Sequence, residues 1–159
     1  MTENMIEVAK LILKRSKDQN INLKKLSLLL YYAEAWYMAN TDQVLFDEAS
    51  QAWAYGAMYP SLFLKFRMNS DDIKDRLDLD NISINNKDDV NSCLDIILNQ
   101  YDKFNDRELI ILNQEEDPWS ITRGQLEPER RCEEEIDKLL IRNYYAKRIG
   151  KDAINRLHS

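Results

Sequence analysis

Apolar residues recur at intervals of three and four in at least four stretches of the chain, the spacing of helices that bury one face. Met5, Ala9, Ile12 and Leu13, with Ile6 and Val8 beside them, predict a first helix between Thr2 and Lys17, closed by the polar run Lys17-Asp18-Gln19-Asn20. Asn22 suits an N-cap, because its side-chain oxygen can accept from a free amide of the first turn. A second helix is therefore predicted from about Leu23 to about Ala39. Leu26, Leu29, Leu30, Ala33 and Tyr37 form one stripe of it, and Leu28, Tyr32 and Trp36 a neighbouring one. So wide an apolar arc makes this helix central.

From Val44 to Tyr55 the bulky residues lose helical spacing and end at Gly56, which predicts an extended segment with one or two short strands. Pro60 fits the first turn of a third helix, where its missing amide proton costs nothing. Leu62, Phe63 and Phe66 give that helix its apolar side, and Asn69-Ser70 its end. Ile82-Ser83-Ile84 alternates among Asn and Asp, a pattern for a short strand that pairs with residues 44–55. Helical spacing returns from about Asp88 with Val90, Leu94, Ile97, Leu98 and Tyr101. Asn105 to Glu108 has the spacing of a capping box, and Leu109, Ile110 and Leu112 follow it. Pro118-Trp119 starts another helix, and Gly124 and Pro128 precede the last region. There Ile136, Leu139 and Leu140 predict a long helix reaching Tyr144 and Tyr145, with a break at Gly150. The expected fold is mainly α, a multi-helix domain with a small β element. Residues 1–125 form the domain and 126–159 a helical extension packed on it.

Composition agrees with this and narrows the chemistry. The 159 residues are enough for one well-buried core. Three glycines and three prolines leave little punctuation for many tight turns. A formal charge of −6 disfavours the whole domain as a binder of phosphate backbones, which are held by Lys and Arg. Cys93 and Cys132 are the only cysteines and His158 the only histidine, too few ligands for a structural zinc site. Cys93 lies on the apolar side of its helix pattern, the place of a buried reduced thiol. The N-terminus has no signal-peptide core, and no apolar run nears the ~20 residues needed to span a bilayer, so the cytoplasm is the expected compartment.

No catalytic set assembles from the residues. A hydrolase needs a nucleophile or a positioned acid and base, and His158 lies one residue from the C-terminus. Asp71-Asp72, Asp88-Asp89 and Glu133-Glu134-Glu135 read as solvated faces and helix starts. No glycine-rich phosphate loop is present, and no cofactor is called for. Arg130-Arg131, Lys138, Arg142, Lys147, Arg148, Lys151 and Arg156 make the C-terminal region locally positive. Glu133 to Glu135 and Asp137 interleave with them, which predicts i,i+4 ion pairs on an exposed helix. The aromatic set Tyr31, Tyr32, Trp36, Tyr37, Trp53, Tyr55, Tyr59 and Trp119 is open to core or interface use. Tyr31, Ala33 and Tyr37 fall to the core by their place on the periodic helix, whereas Tyr55 and Tyr59 flank a glycine and stay open to both.

Three elements together resemble the Panacea antitoxin domain, the family of SocA-like proteolytic adaptors and phage-associated GepA-like proteins. They are the helix Lys25-Leu26-Ser27-Leu28-Leu29-Leu30-Tyr31-Tyr32-Ala33, the pair of motifs Leu45-Phe46-Asp47-Glu48 and Ala52-Trp53-Ala54-Tyr55-Gly56-Ala57-Met58-Tyr59-Pro60, and Leu112-Asn113-Gln114 leading to Pro118-Trp119. The chain departs from the family pattern at Ser27 and Leu28, at Ala57 and Met58 where Pro-Val is usual, and at Gln114 where a histidine is usual. The resemblance implies a non-enzymatic antitoxin that masks a protein toxin encoded next door, or an adaptor that delivers it to a protease. The alternative is a helix-turn-helix DNA-binding regulator of a prophage or toxin-antitoxin locus, since consecutive helices can form that motif. For the antitoxin reading, partner recognition is expected at Trp53, Tyr55, Gly56, Met58, Tyr59 and Phe63. There Gly56 would turn the chain and hold Tyr55 and Tyr59 on one exposed rim. The opposing reading is that these residues only cover the central helix.

Overall fold

A computed structural model describes residues 1–67 and 73–157. Among them it is mainly α, with seven helices and one two-stranded antiparallel sheet. Helix α2 (Leu23–Thr41) is the axis of the molecule. Asn22 caps it by accepting from the Lys25 amide at 2.9 Å, and Asp42 closes it in the left-handed region. Every residue from Lys25 to Met38 is buried, so α2 is enclosed on all sides, as its wide apolar arc requires. Leu26, Leu30, Tyr31 and Ala33 are at its inaccessible centre and Tyr37 is nearly as deep.

The other helices coat this axis. Helix α1 (Glu3–Arg15) packs on it through Met5, Val8, Ala9 and Ile12. Helix α3 (Pro60–Phe66) starts on its proline and buries Leu62 and Phe66. The expected end of this helix at Asn69-Ser70 lies outside the described residues. Helix α4 (Lys87–Tyr101) buries Val90, Cys93, Leu94, Ile97 and Tyr101 against α2. Helix α5 (Asp106–Gln114) opens on a complete capping box between Asn105 and Glu108, and α6 (Asp117–Arg123) carries Pro118 in its first turn.

The β element sits slightly later than expected. Strand β1 is Gln51–Trp53 and β2 is Gly56–Met58, whereas residues 44–50 are irregular. Residues 82–84 form no strand. The Ser83 amide donates instead to the buried Glu7 carboxylate at 2.9 Å, and the β1 edge they would have used is occupied. Residues 134–136 hold that edge: Ala52 donates to the Glu134 carbonyl and Ile136 to the Ser50 carbonyl.

Helix α7 (Lys138–Leu157) runs along α2 and contributes Ile141 and Tyr145 to the core, preceded by the buried Ile136. Leu139 faces out instead of inward. The helix passes through Gly150 without a break, since one helical glycine costs only about 1 kcal/mol when no other stop signal accompanies it.

Candidate functional site

The hairpin of β1 and β2 is anchored from several other elements. Its register pairs Gln51 with Met58, Ala52 with Ala57 and Trp53 with Gly56, leaving Ala54-Tyr55 as the tip. Gly56 has φ +87°, and a Cβ there would meet Asn113 Oδ1 at 3.0 Å and Leu28 Cδ2 at 3.2 Å. Position 56 therefore needs glycine for both backbone angle and space.

Five side chains from elsewhere bind the hairpin backbone. The Arg123 guanidinium donates to the Ala52 carbonyl at 2.8 Å, the Trp119 indole to Trp53 at 2.8 Å, and the Gln114 amide to Ala54 at 2.9 Å. Asn113 Oδ1 accepts from the Ala57 amide at 2.8 Å, and Ser27 donates to the Ala57 carbonyl at 2.9 Å. Gln114 thus has a definite structural task at the position where a histidine is usual. Arg123 also donates to the carbonyls of Glu127, Pro128 and Arg130 and lies over the Trp119 ring, fixing the segment that leads to the β1 edge. Sequence reading missed Asn113 as an anchor, although the Leu112-to-Trp119 element contained it, and missed Arg123 altogether.

This framework divides the six expected recognition residues. Tyr59 is fully buried, its ring edge-on to Phe46 and its hydroxyl donating to Glu34 at 3.2 Å. Burial, reinforced by the Glu34 charge, pushes that hydroxyl far above the usual tyrosine range. Met58 and Gly56 are buried as well. The exposed rim of Tyr55 and Tyr59 therefore does not exist: β2 is buried along its whole length, and Tyr59, at the N-cap of α3, turns inward onto Phe46 and Glu34. Tyr55 stays 46% exposed, with the Lys24 ammonium 4.1 Å from its ring centroid. Trp53 and Phe63 are half-buried and meet edge to face at 5.1 Å.

Tyr55 and Phe63 together separate two surface grooves. One, of about 340 Å³, is bounded by Leu23, Lys24, Met58 and Arg67. The other, of about 400 Å³, is bounded by Trp53, Glu129, Cys132 and Glu133. A larger depression of about 600 Å³ lies away from the hairpin beside the start of α1. Its wall at Thr2 is already engaged, both the amide and the hydroxyl donating to Glu48.

Beneath the surface, α2 meets α7 through a cluster of tyrosines around two buried carboxylates. Glu116, just before α6, accepts from the Tyr32 hydroxyl at 2.5 Å and faces Arg148 at 3.4 Å. Tyr32 stacks on Tyr101 at 4.1 Å, and the Tyr101 hydroxyl accepts from the Trp36 indole. Glu34 accepts from Lys138 at 2.7 Å, from Tyr59 and from the Phe46 amide. Burial raises both carboxyl groups above their ordinary range, opposed by these hydrogen bonds and cations. The hydroxyls of Tyr31 and Tyr145 are buried in the cluster without a hydrogen-bond partner of good geometry. These groups face packed side chains, and burial pushes the hydroxyls and the Cys93 thiol (to about 12) away from nucleophilic use. Cys93 is buried with its Sγ 3.3 Å from the Ala33 carbonyl. His158 lies outside the described residues, among which no cluster of three metal-ligating side chains occurs.

Among the described side chains, Arg131, Lys138, Arg142 and Arg148 do not form the expected i,i+4 series. Lys138 pairs with Glu34, Arg142 with Asp42 and Arg148 with Glu116, all on other elements. Arg131 pairs with Glu133 in a segment that is not helical. Among the described residues no helix is long and apolar enough to cross a membrane.

The family model described as "Antitoxin SocA-like, Panacea domain" matches residues 26–120. That span begins in α2, takes in the hairpin, Asn113, Gln114 and Trp119, and ends within α6. No curated protein and no solved structure matches the chain.

Proposed function

The chain belongs to the SocA-like antitoxin family through its Panacea domain, and from this we propose that it neutralises a protein toxin encoded beside it by binding the toxin directly. The observation that carries this reading is the anchored hairpin. Five side chains fix its backbone while Tyr55, and in part Trp53 and Phe63, remain open to solvent. Aromatic residues bury large areas with few torsions, and a rigid backbone removes much of the ordering cost of association. In this reading Trp53, Tyr55 and Phe63 touch the toxin, and Gly56, Met58 and Tyr59 shape and support that surface from within. The protein works without a catalytic step or cofactor, in the cytoplasm where its toxin would act.

Direct masking is preferred to delivery to a protease because the ridge is a preformed surface. A DNA-binding role is disfavoured: the hairpin separates α2 from α3, and two cations of α7, Lys138 and Arg148, are paired with the buried carboxylates Glu34 and Glu116. The test is co-expression with the neighbouring toxin gene, coupled to pull-down and to inhibition of purified toxin without any protease. Wild type should rescue growth and inhibit in the purified system. Tyr55→Asp and Phe63→Asp, folded by circular dichroism, should lose both. Folded variants that rescue at full strength would remove the ridge from the interface, and rescue that requires a protease would replace masking by delivery.

A further inference from the structure

Resting on the ridge as the toxin's docking surface, we infer that the partner segment seated there is charge-polarised along its length. It carries an apolar stretch across Tyr55, carboxylates at one end and cations at the other. The two grooves that share Tyr55 and Phe63 as a wall differ in sign. On the first, Lys24 and Arg67 face a single carboxylate, Asp106. Asp106 is already engaged, one oxygen accepting from the Asn22 side chain and the other from the Arg107 amide, both at 2.9 Å. On the second, Glu129 and Glu133 face a single cation, Arg131, and Arg131 is ion-paired with Glu133. Exposed Glu134 and Glu135 continue the acidic side along the chain.

Apolar side chains line both grooves, Leu23 and Met58 in the first and Trp53 and Cys132 in the second. The ridge between them holds a cation at its shoulder, with the Lys24 ammonium above the Tyr55 ring. A partner segment of uniform sign would meet like charge on one side of the ridge, which is costly at an interface. A segment with opposed ends meets complementary charge on both sides, and the same opposition fixes the direction in which it lies.

The probe is a set of fluorescein-labelled synthetic peptides of about 12 residues with one shared aliphatic–aromatic core, titrated into the full-length protein by anisotropy. One has an acidic and a basic end, one has the same composition with the charges mixed at both ends, and two are uniformly acidic or uniformly basic. The polarised peptide should bind about tenfold tighter than the mixed one at low salt, with the advantage lost by about 0.5 M salt. In K24E/R67E the preference should move to the uniformly basic peptide. No binding by any peptide, equal binding by the uniform and polarised peptides, or an unchanged order in K24E/R67E would overturn the inference. If the order fails while folded Tyr55→Asp still loses toxin rescue, the polarity falls and the docking surface stands. If Tyr55→Asp rescues, the docking surface itself falls.

Discussion

The Lys138 ammonium donates to the Glu34 carboxylate at 2.7 Å, joining the first turn of α7 to the middle of α2 across 104 residues of chain. Lys138 also donates to the carbonyls of Phe46 and Glu48, and Glu34 is 1% exposed. Removing the lysine leaves a buried, uncompensated carboxylate. Lys138→Met should therefore cost about 3–5 kcal/mol in urea unfolding, and adding Glu34→Gln should restore part of the loss. Additive costs in the double variant would show that the pair is not coupled.

Leu26 and Leu30 are fully inaccessible within α2. Leu26→Ala and Leu30→Ala should each destabilise by about 2–5 kcal/mol, the range for truncating a buried leucine. Toxin affinity of the fraction that remains folded should not change. A variant that melts like wild type would contradict the central place of α2.

Gly56→Ala meets two obstacles at once, the positive φ and the contacts with Asn113 and Leu28. The backbone angle alone should cost about 1–2 kcal/mol. Because Asn113 must yield, protection of the Ala57 amide in hydrogen exchange should fall more than that of α4 amides. Uniform loss across the molecule would argue against a local effect on the hairpin.

Burial raises the Glu116 carboxyl above its ordinary range, with the Tyr32 hydroxyl and Arg148 only partly offsetting this. A folded-state value above the unfolded one means that the folded protein holds the proton more tightly. The group's contribution to stability is then fully present below the ordinary carboxylate range and is lost as pH rises through the raised value. Glu116→Gln keeps an acceptor for Tyr32 and cannot ionise. Its melting temperature relative to wild type should rise with pH from about 4 to about 8. A difference that stays flat, or slopes the other way, would show that Glu116 is not held above the normal range.

The helices were legible because each declares itself locally, by the stripe of α2, the Asn22 cap, the capping box at Asn105 or the proline that opens α3. Failures came where distant residues decide. Residues 82–84 alternate as a strand would, yet Glu7 claims the Ser83 amide and residues 134–136 take the available edge. For Lys138, Arg142 and Arg148 the sequence pattern points to neighbours along the helix, whereas their carboxylates lie on α2, at its C-cap and before α6. Of the candidate site, the motif from Ala52 to Pro60 was found, but which aromatic side chains face water was not. That depends on a two-residue tip and a strand of three residues, too short for periodicity to register. Glu34 was the one hint of the buried cluster, a lone carboxylate in an otherwise apolar stretch.

The anchors of the hairpin grip only its main chain: the carbonyls of Ala52, Trp53, Ala54 and Ala57 and the amide of Ala57. None of them depends on what the side chains of positions 53 and 55 are. Those two positions can therefore change by single substitutions without removing any of these five bonds, and under the proposed function a lineage could track a changing toxin without first repairing its scaffold.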